Sequence, residues 1–372
     1  MPAKKTRARR PATRSRVPLA GARVPGGLRD GERVLITSHD VAALAGVSRS
    51  AVSRTFTPAA SVSDATRRKV QRAAAQLGYQ PNVIARSLIT RQSRLIGLIM
   101  GEWENPFYAA MLRQFSEKLQ ARDYRVMLLA GSSEKDVDDS VRLLRQYQVD
   151  GIVLVSAAPS EELAAECARA GVRLVLLNRE RQGLPATSIV LDNAGIGREL
   201  AALLLNVGYQ RFLLVRGRAQ LRAGIERQDG FRSVLNAQRR GQIIGEGTDL
   251  VGYAAGRQFI REFVEAGKQP DAVVCSSDLT ALGVLDGLRI DLGQRVPDDI
   301  AVVGFGDIPA ASWAANELTT VALPLDGMID AALSDMFDDS GADRPRRVVL
   351  PGRIIERSTT RTVASIQAAP SR

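Results

Sequence analysis

The chain has 372 residues, 45% hydrophobic, 24% charged and 5% aromatic, the composition of a globular protein with room for two or three domains. The formal net charge of +11 is concentrated in the first quarter: residues 1–29 carry nine Lys or Arg and no acid, residues 30–95 carry ten basic and four acidic residues, and the remainder is net acidic. The sequence has no apolar run of the roughly 18 residues needed to span a membrane, no CxxC around Cys167 or Cys275, and a single histidine, His39, which weighs against zinc sites and histidine-based nucleophilic catalysis.

Residues 1–34 are rich in Arg, Pro, Gly and Ala without periodicity and read as a disordered basic extension, not a secretory signal. Thr37-Ser38-His39-Asp40 has the form of a capping box, with Thr37 as the cap and Asp40 three residues later. Val41, Ala42, Leu44 and Ala45 then supply one apolar helix face. Gly46 suits the positive φ of a helix end, and Ser48 is a good cap for a second helix, about 49–56. That helix buries Val52 and exposes Arg49, Ser50, Ser53 and Arg54. Ser63 caps a third helix ending at Gly78, and Pro81 opens a short fourth one over 82–88. Two helices joined by a tight Gly-x-Ser turn make a helix-turn-helix, whose second helix fits the major groove of DNA. Arg49 and Arg54 could each read a guanine edge or touch only phosphate, and the spacing leaves both readings open.

From Leu95 the texture becomes strand–helix alternation. Strand candidates are 95–100, 125–130, 151–155, 173–177, 188–191, 211–215, 271–275 and 300–304, most of them nearly continuously apolar. Such strands between amphipathic helices imply parallel sheets covered on both faces, and their number fits two Rossmann-like lobes better than one sheet. Gly195-x-Gly197 and Gly304-x-Gly306 do not complete a dinucleotide-binding glycine pattern, and no phosphate-binding GxxxxGK[ST] loop is present.

Ile36 to Ser48, Val52-Ser53-Arg54, Val62-Ser63-x-x-Thr66-Arg67, Leu77-Gly78-Tyr79-x-Pro81-Asn82 and Ala85-Arg86-Ser87-Leu88 follow one another in dense order. This stretch resembles the lactose/galactose repressor (LacI/GalR) family. The resemblance continues through Asn105-Pro106-Phe107, Asp192-Asn193, Arg227-x-x-Gly230-Phe231, Ser277-Asp278 and Val303-Gly304-Phe305, covering roughly 36–358. It implies an α/β fold: an all-α helix-turn-helix plus hinge helix, then a two-lobed body like the periplasmic binding proteins. The expected division is a basic extension 1–34, a DNA-binding domain 35–80, and a hinge helix and linker 81–94. The effector-binding body follows at 95–360, with lobe one at 95–192 and 323–344, lobe two at 193–322 and 345–360, and a tail 361–372.

The resemblance also implies roles. Thr37, Ser48, Arg49, Ser50, Ser53 and Arg54 are expected at DNA, as are Asn82, Ala85, Arg86 and Leu88 of the hinge helix, with Leu88 as a minor-groove wedge. Trp103, Phe107, Asn178, Arg227 and Ser277 are expected to line an effector cleft. Phe107 as a core residue and Arg227 as a surface ion-pair partner are the competing readings, and Asp278 reads as a helix cap. Two departures stand out: Gly306 where the family often has an aspartate, and Ser277 where it often has an asparagine. Both remove hydroxyl-binding groups and point away from an ordinary neutral hexose, toward a sugar acid or another small metabolite with Arg227 reading a carboxylate. The expectation is a regulator, a repressor by family habit and not an enzyme. Its expected partners are pseudo-palindromic operator DNA and a small-molecule effector. It is expected to form a homodimer in the cytoplasm, associated with the nucleoid, with no cofactor and no membrane partner. A solute-binding protein without a DNA role and an enzyme fused to a regulatory domain are the alternatives.

Overall fold

The computed structural model describes residues 36–57, 60–81, 87, 92–101, 104–219, 221–337 and 346–362. The chain forms two units, 1–83 and 84–372.

In the first unit, α1 (Ser38–Ala45), α2 (Arg49–Thr55) and α3 (Asp64–Leu77) enclose a small core of Val41, Ala42, Val52, Val70, Ala73 and Ala74. Each helix end has a chemical cause. The Asp40 carboxylate accepts from the backbone N–H and hydroxyl of Thr37, both at 2.8 Å, which holds it below the usual carboxylate range. Gly46 (φ +64°) and Gly78 (φ +67°) end α1 and α3 in the left-handed region. Ser48 and Ser63 cap α2 and α3 by accepting from Ala51 N and Thr66 N, each at 3.3 Å. The expected apolar face of α1 is narrower than its sequence indicates. Leu44 is 47% exposed, while Val41 and Ala42 enter the three-helix core.

The second unit contains two six-stranded sheets. The first runs in the order β11-β5-β4-β3-β1-β2, all parallel: β1 (Leu95–Met100), β2 (Arg125–Ala130), β3 (Gly151–Val155), β4 (Arg173–Leu177), β5 (Thr187–Leu191) and β11 (Arg347–Leu350). The second runs β12-β10-β9-β8-β6-β7: β6 (Arg211–Val215), β7 (Gln242–Gly247), β8 (Ala272–Cys275), β9 (Ala301–Gly306), β10 (Thr319–Ala322) and β12 (Arg353–Ile355). Its strands are parallel except β12, which runs antiparallel to β10 at the edge. Helices α4 (Pro106–Gln120), α5 (Glu134–Gln146), α6 (Glu161–Arg169) and α11 (Leu325–Phe337) accompany the first sheet. Helices α7 (Asn193–Asn206), α8 (Arg222–Gln238), α9 (Tyr253–Glu265) and α10 (Asp278–Asp286) accompany the second.

Strand β1 shows why these sheets are covered on both faces: Ile96, Leu98 and Met100 join one core, while Ile99 joins another with Val137, Val141 and Leu144. Fully burying such side chains contributes about 1.5–3 kcal/mol each. Gly97 leaves the space that Leu144 occupies, since a Cβ there would lie 2.4 Å from Leu144 Cδ1. Both cysteines are buried free thiols.

Among the described residues the chain passes between the sheets three times, at Asp192, at Leu323-Pro324 and at Pro351-Gly352. The crossings meet around Leu191, Ile196, Phe305 and Val321, and Gly352 leaves room there for Leu191 and Val321. The third crossing corrects the expected lobe boundary. Segment 345–360 does not belong wholly to the second lobe, because β11 bonds β5 in the first sheet and only then does the chain return as β12. Strands β7, β10, β11 and β12 escaped the sequence reading. They are three to six residues long; β7, with two glycines and a glutamate, β11 and β12 lie at sheet edges and are only partly buried, and β10, inside the second sheet, has threonine at two of its four positions.

Candidate DNA-reading helix and interlobe cleft

On α2 the buried face is Val52 and Thr55 and the exposed face is polar. Val52 is fully buried, whereas Ser48, Arg49, Ser50, Ser53 and Arg54 are exposed, as is Thr37 before α1. Three of these side chains are engaged locally: Ser48 Oγ caps the helix and shares a 2.9 Å hydrogen bond with Ser50 Oγ, and Arg54 Nε donates to Ser50 O at 3.3 Å. Arg49 stands at the first helical position with its side chain in solvent. Asn82, Ala85, Arg86 and Leu88 lie outside the described residues.

A cavity of about 490 Å³ lies between the two sheets at the carboxyl ends of their parallel strands, where open α/β folds bind ligands. Phe107, Asn178, Arg227 and Ser277 all line it. Trp103 lies outside the described residues. Phe107 sits one residue after Pro106 at the start of α4, where Asn105 Oδ1 accepts its N–H at 3.1 Å, and it packs edge-on against Tyr108. Asn178 and Ser156 follow β4 and β3 with φ of +55° and +54°, strained positions of the kind found at binding sites. Asn178 Nδ2 donates to Ser156 Oγ at 3.3 Å, and Ser156 Oγ also bonds the Tyr108 hydroxyl at 2.9 Å. Asn178 Oδ1 is buried without a hydrogen-bond partner.

Arg227 is placed by a close helix contact. Gly197 on α7 and Gly230 on α8 let the two backbones meet; a Cβ at either would lie 2.2 Å from a carbonyl oxygen of the other helix. Gly197 thus belongs to helix packing, while Gly195 leaves room for the Asp192 carboxylate that accepts its N–H at 2.8 Å, so the Gly195-x-Gly197 pair is structural. The contact brings Arg227 Nε to Asn193 Oδ1 at 2.9 Å and its NH1 group to Ser276 O at 3.3 Å, with the guanidinium carbon 3.5 Å from the Phe305 ring centroid. Removal from water lowers the guanidinium to about 10, so it stays cationic at neutral pH. It makes no ion pair among the described residues, so the surface-pair alternative does not hold.

Ser277 is a correction of emphasis. Its hydroxyl caps α10, accepting from Thr280 N at 3.2 Å and bonding Thr280 Oγ1 at 3.0 Å, so it borders the cleft with its hydrogen bonds already engaged. Asp278, expected as that cap, instead turns inward: it is 1% exposed and accepts from Thr320 Oγ1 and Ile308 N. Gly304 and Gly306 leave room for its carboxyl; a Cβ at Gly304 would lie 2.2 Å from Asp278 Oδ1. Burial pushes this carboxyl up to about 6. Asp307 is not at the cleft either; it binds Arg357 at 2.7 Å.

The sequence reading missed Tyr108, Ser156, Arg179, Arg216 and Ser276 as cleft residues. The available signal was position: Ser156, Arg216 and Ser276 are each the first residue after an inner strand.

Comparison with known proteins agrees with this architecture. Residues 93–357 match the family profile described as periplasmic binding proteins and sugar binding domain of the LacI family, and residues 37–82 match that of bacterial regulatory proteins, lacI family. The chain is 35% identical to the HTH-type transcriptional regulator CelR of Thermobifida fusca, over 78% of this chain and 88% of that protein. It is 31% identical to the ribose operon repressor of Bacillus subtilis (strain 168), over 78% and 87% of the two chains. Its fold resembles the Lac repressor dimer bound to operator and the anti-inducer ONPF, with a TM-score of 0.79, 26% identity, and coverage of 88% of this chain and 99% of that one. A helix-turn-helix followed by a two-sheet body with a cleft at its strand ends, matched along both segments, shows that the chain belongs to the LacI family of bacterial transcription regulators.

Proposed function

We propose that this protein is a sequence-specific DNA-binding repressor whose operator affinity is set by a small metabolite of the sugar or sugar-acid class held in the interlobe cleft. One observation carries the reading: a polar, exposed α2 face and a polar-lined cavity bordering the crossings between two lobes occur in one chain. Arg49, Ser50, Ser53 and Arg54 supply donors for base edges or phosphates, and Thr37 and Ser48 fix the helices that present them. Asn82, Ala85, Arg86 and Leu88 are assigned to a DNA-ordered hinge by the family resemblance. Phe107, Asn178 and Arg227 face the effector, with Trp103 assigned by resemblance and Ser277 bordering the site. The relative whose complex with cellobiose is solved, at 30% identity and a TM-score of 0.62, supports a saccharide-like ligand class.

The protein acts as a homodimer on a two-fold operator in the cytoplasm, at the nucleoid, and performs no catalysis. No helix among the described residues is long and apolar enough to cross a membrane. The test is genome-wide binding of the purified full-length protein to fragmented DNA at near-physiological salt, where sequence-blind binding is weak. Enrichment of a short palindrome that is lost on adding one metabolite supports the reading. Binding that is salt-sensitive but sequence-blind under all conditions refutes it.

A further inference from the structure

We infer that the cleft takes a hydroxylated ligand bearing an anionic oxyacid group, a carboxylate or phosphate, and that the anion is seated on Arg216. This rests on the reading of the cleft as the effector site. It changes which residue meets the charge, because the guanidinium of Arg227 already donates to Asn193 and Ser276 and stacks on Phe305.

The charge balance of the cavity comes first. Five arginines line it against three carboxylates. Two of those carboxylates are already committed: Glu226 pairs with Arg222 at 2.7 Å and Glu180 with Arg347 at 3.0 Å. Arg179 and Arg216 make no ion pair among the described residues. Arg179 is partly withdrawn from water beside Arg181 and Arg218, and both effects hold its guanidinium below the usual range. An enclosed, positively charged space of this kind favours anions by field as well as by contact.

Arg216 supplies the contact. It is the residue after β6, and its stem runs beneath Gly224 at the start of α8. A Cβ at 224 would lie 3.0 Å from Arg216 Cδ and 3.1 Å from its Cγ, so glycine there keeps the arginine's course open. Its Nε is buried without any hydrogen-bond partner, an uncommon and costly condition for a cationic donor. A carboxylate or phosphate matches the fork of such a guanidinium with paired hydrogen bonds. The opposite wall carries the complementary vacancy: Asn178 Oδ1, buried and unpaired, accepts from a ligand hydroxyl. At position 306 a glycine lines the cavity, and the neighbouring Asp307 is turned to Arg357, so no carboxylate opposes an anion there.

The experiment is calorimetry and operator release on the full-length protein with matched sets of hexoses, their uronates and their 6-phosphates. The expected result is an anionic member binding at least roughly tenfold more tightly than its neutral parent. In Arg216→Gln that preference disappears; in Arg216→Lys it is reduced but keeps its sign, because the charge remains and the fork is lost. Circular dichroism and cooperative melting establish that both variants fold. A phosphate ligand gains affinity as pH rises through about 6, its second ionisation, while a carboxylate ligand does not, which separates the two sources. Equal or tighter binding of the neutral parent overturns the proposal, as does a preference that survives in Arg216→Gln. So does failure of every anionic compound at millimolar concentration. In that last case a neutral sugar that releases operator leaves the effector reading standing, and silence from both sets removes it too.

Discussion

Arg227 on α8 donates from Nε to Asn193 Oδ1 on α7 at 2.9 Å, and Asn193 is the first residue after the Asp192 crossing between the sheets. The same guanidinium lies against Phe305, which belongs to the apolar cluster where the crossings meet. A ligand group that draws on Arg227 therefore bears on the segment about which the lobes would move, a direct route from cleft occupancy to lobe position.

Removing this arginine tests that route. Arg227→Ala takes away hydrogen bonds of a charged donor worth about 1.5–3 kcal/mol and leaves Asn193 Oδ1 facing an empty space. The effector concentration needed for half-release of operator is expected to rise about tenfold to a hundredfold. Arg227→Lys is expected to recover little of it, since a single ammonium cannot reach Asn193 and Ser276 and also stack on Phe305.

Gly230→Ala tests the helix contact beneath the cleft. The added Cβ would lie 2.2 Å from the Ala194 carbonyl oxygen, so α7 and α8 must separate. A loss of about 1–3 kcal/mol in unfolding free energy is expected, measured by denaturant titration, with a weakened effector response because the Arg227–Asn193 distance is set by the same contact.

The Asp278 carboxyl, pushed up to about 6 in the fold from an unfolded value of 3.8, gives stability a pH dependence of known sign. The folded state holds this proton more tightly than the unfolded chain. Its contribution is therefore complete below about pH 4 and is lost as pH rises through about 6, a change on the order of 2–3 kcal/mol. In Asp278→Asn the melting temperature is expected to fall less between pH 4 and 6 than in the parent protein. An unchanged slope would remove Asp278 as its source.

On α2 the predictions separate framework from contact. Ser48→Ala removes the cap to Ala51 N and is expected to cost about 1 kcal/mol of stability in the first unit without DNA present. Arg49→Ala and Arg54→Ala are expected to leave melting unchanged. At a base edge, each costs about 1–3 kcal/mol and relaxes specificity at one operator position; at phosphate, each weakens all sequences alike and lowers the salt slope by about one. Binding to a library of operator variants at two salt concentrations distinguishes these outcomes.

Local signals carried much of this protein. The capping box at Thr37 and Asp40, the glycine stop at Gly46 and the Ser48 cap are contacts within a few residues, so their pattern is written in adjacent letters. The inner strands are readable for a related reason: a strand buried on both faces is a short apolar run, and β1, β3, β4 and β6 follow that run; β2, at an edge, is readable because it too is a short apolar run, Val126 to Ala130. The edge strands β7, β11 and β12 lose the signal because they are only partly buried and carry glycine or arginine, and β11 further depends on which sheet the chain crosses to. The cleft is the part that only tertiary structure decided. Asn193, Arg216, Arg227 and Ser276 come from separate strand ends and helices, and whether a guanidinium is engaged or left unpaired depends on distances between them. Those distances follow from close approaches such as Gly197 to Arg227 and Gly230 to Ala194, where missing side chains let backbones touch, and no periodicity along the chain encodes how near two helices come.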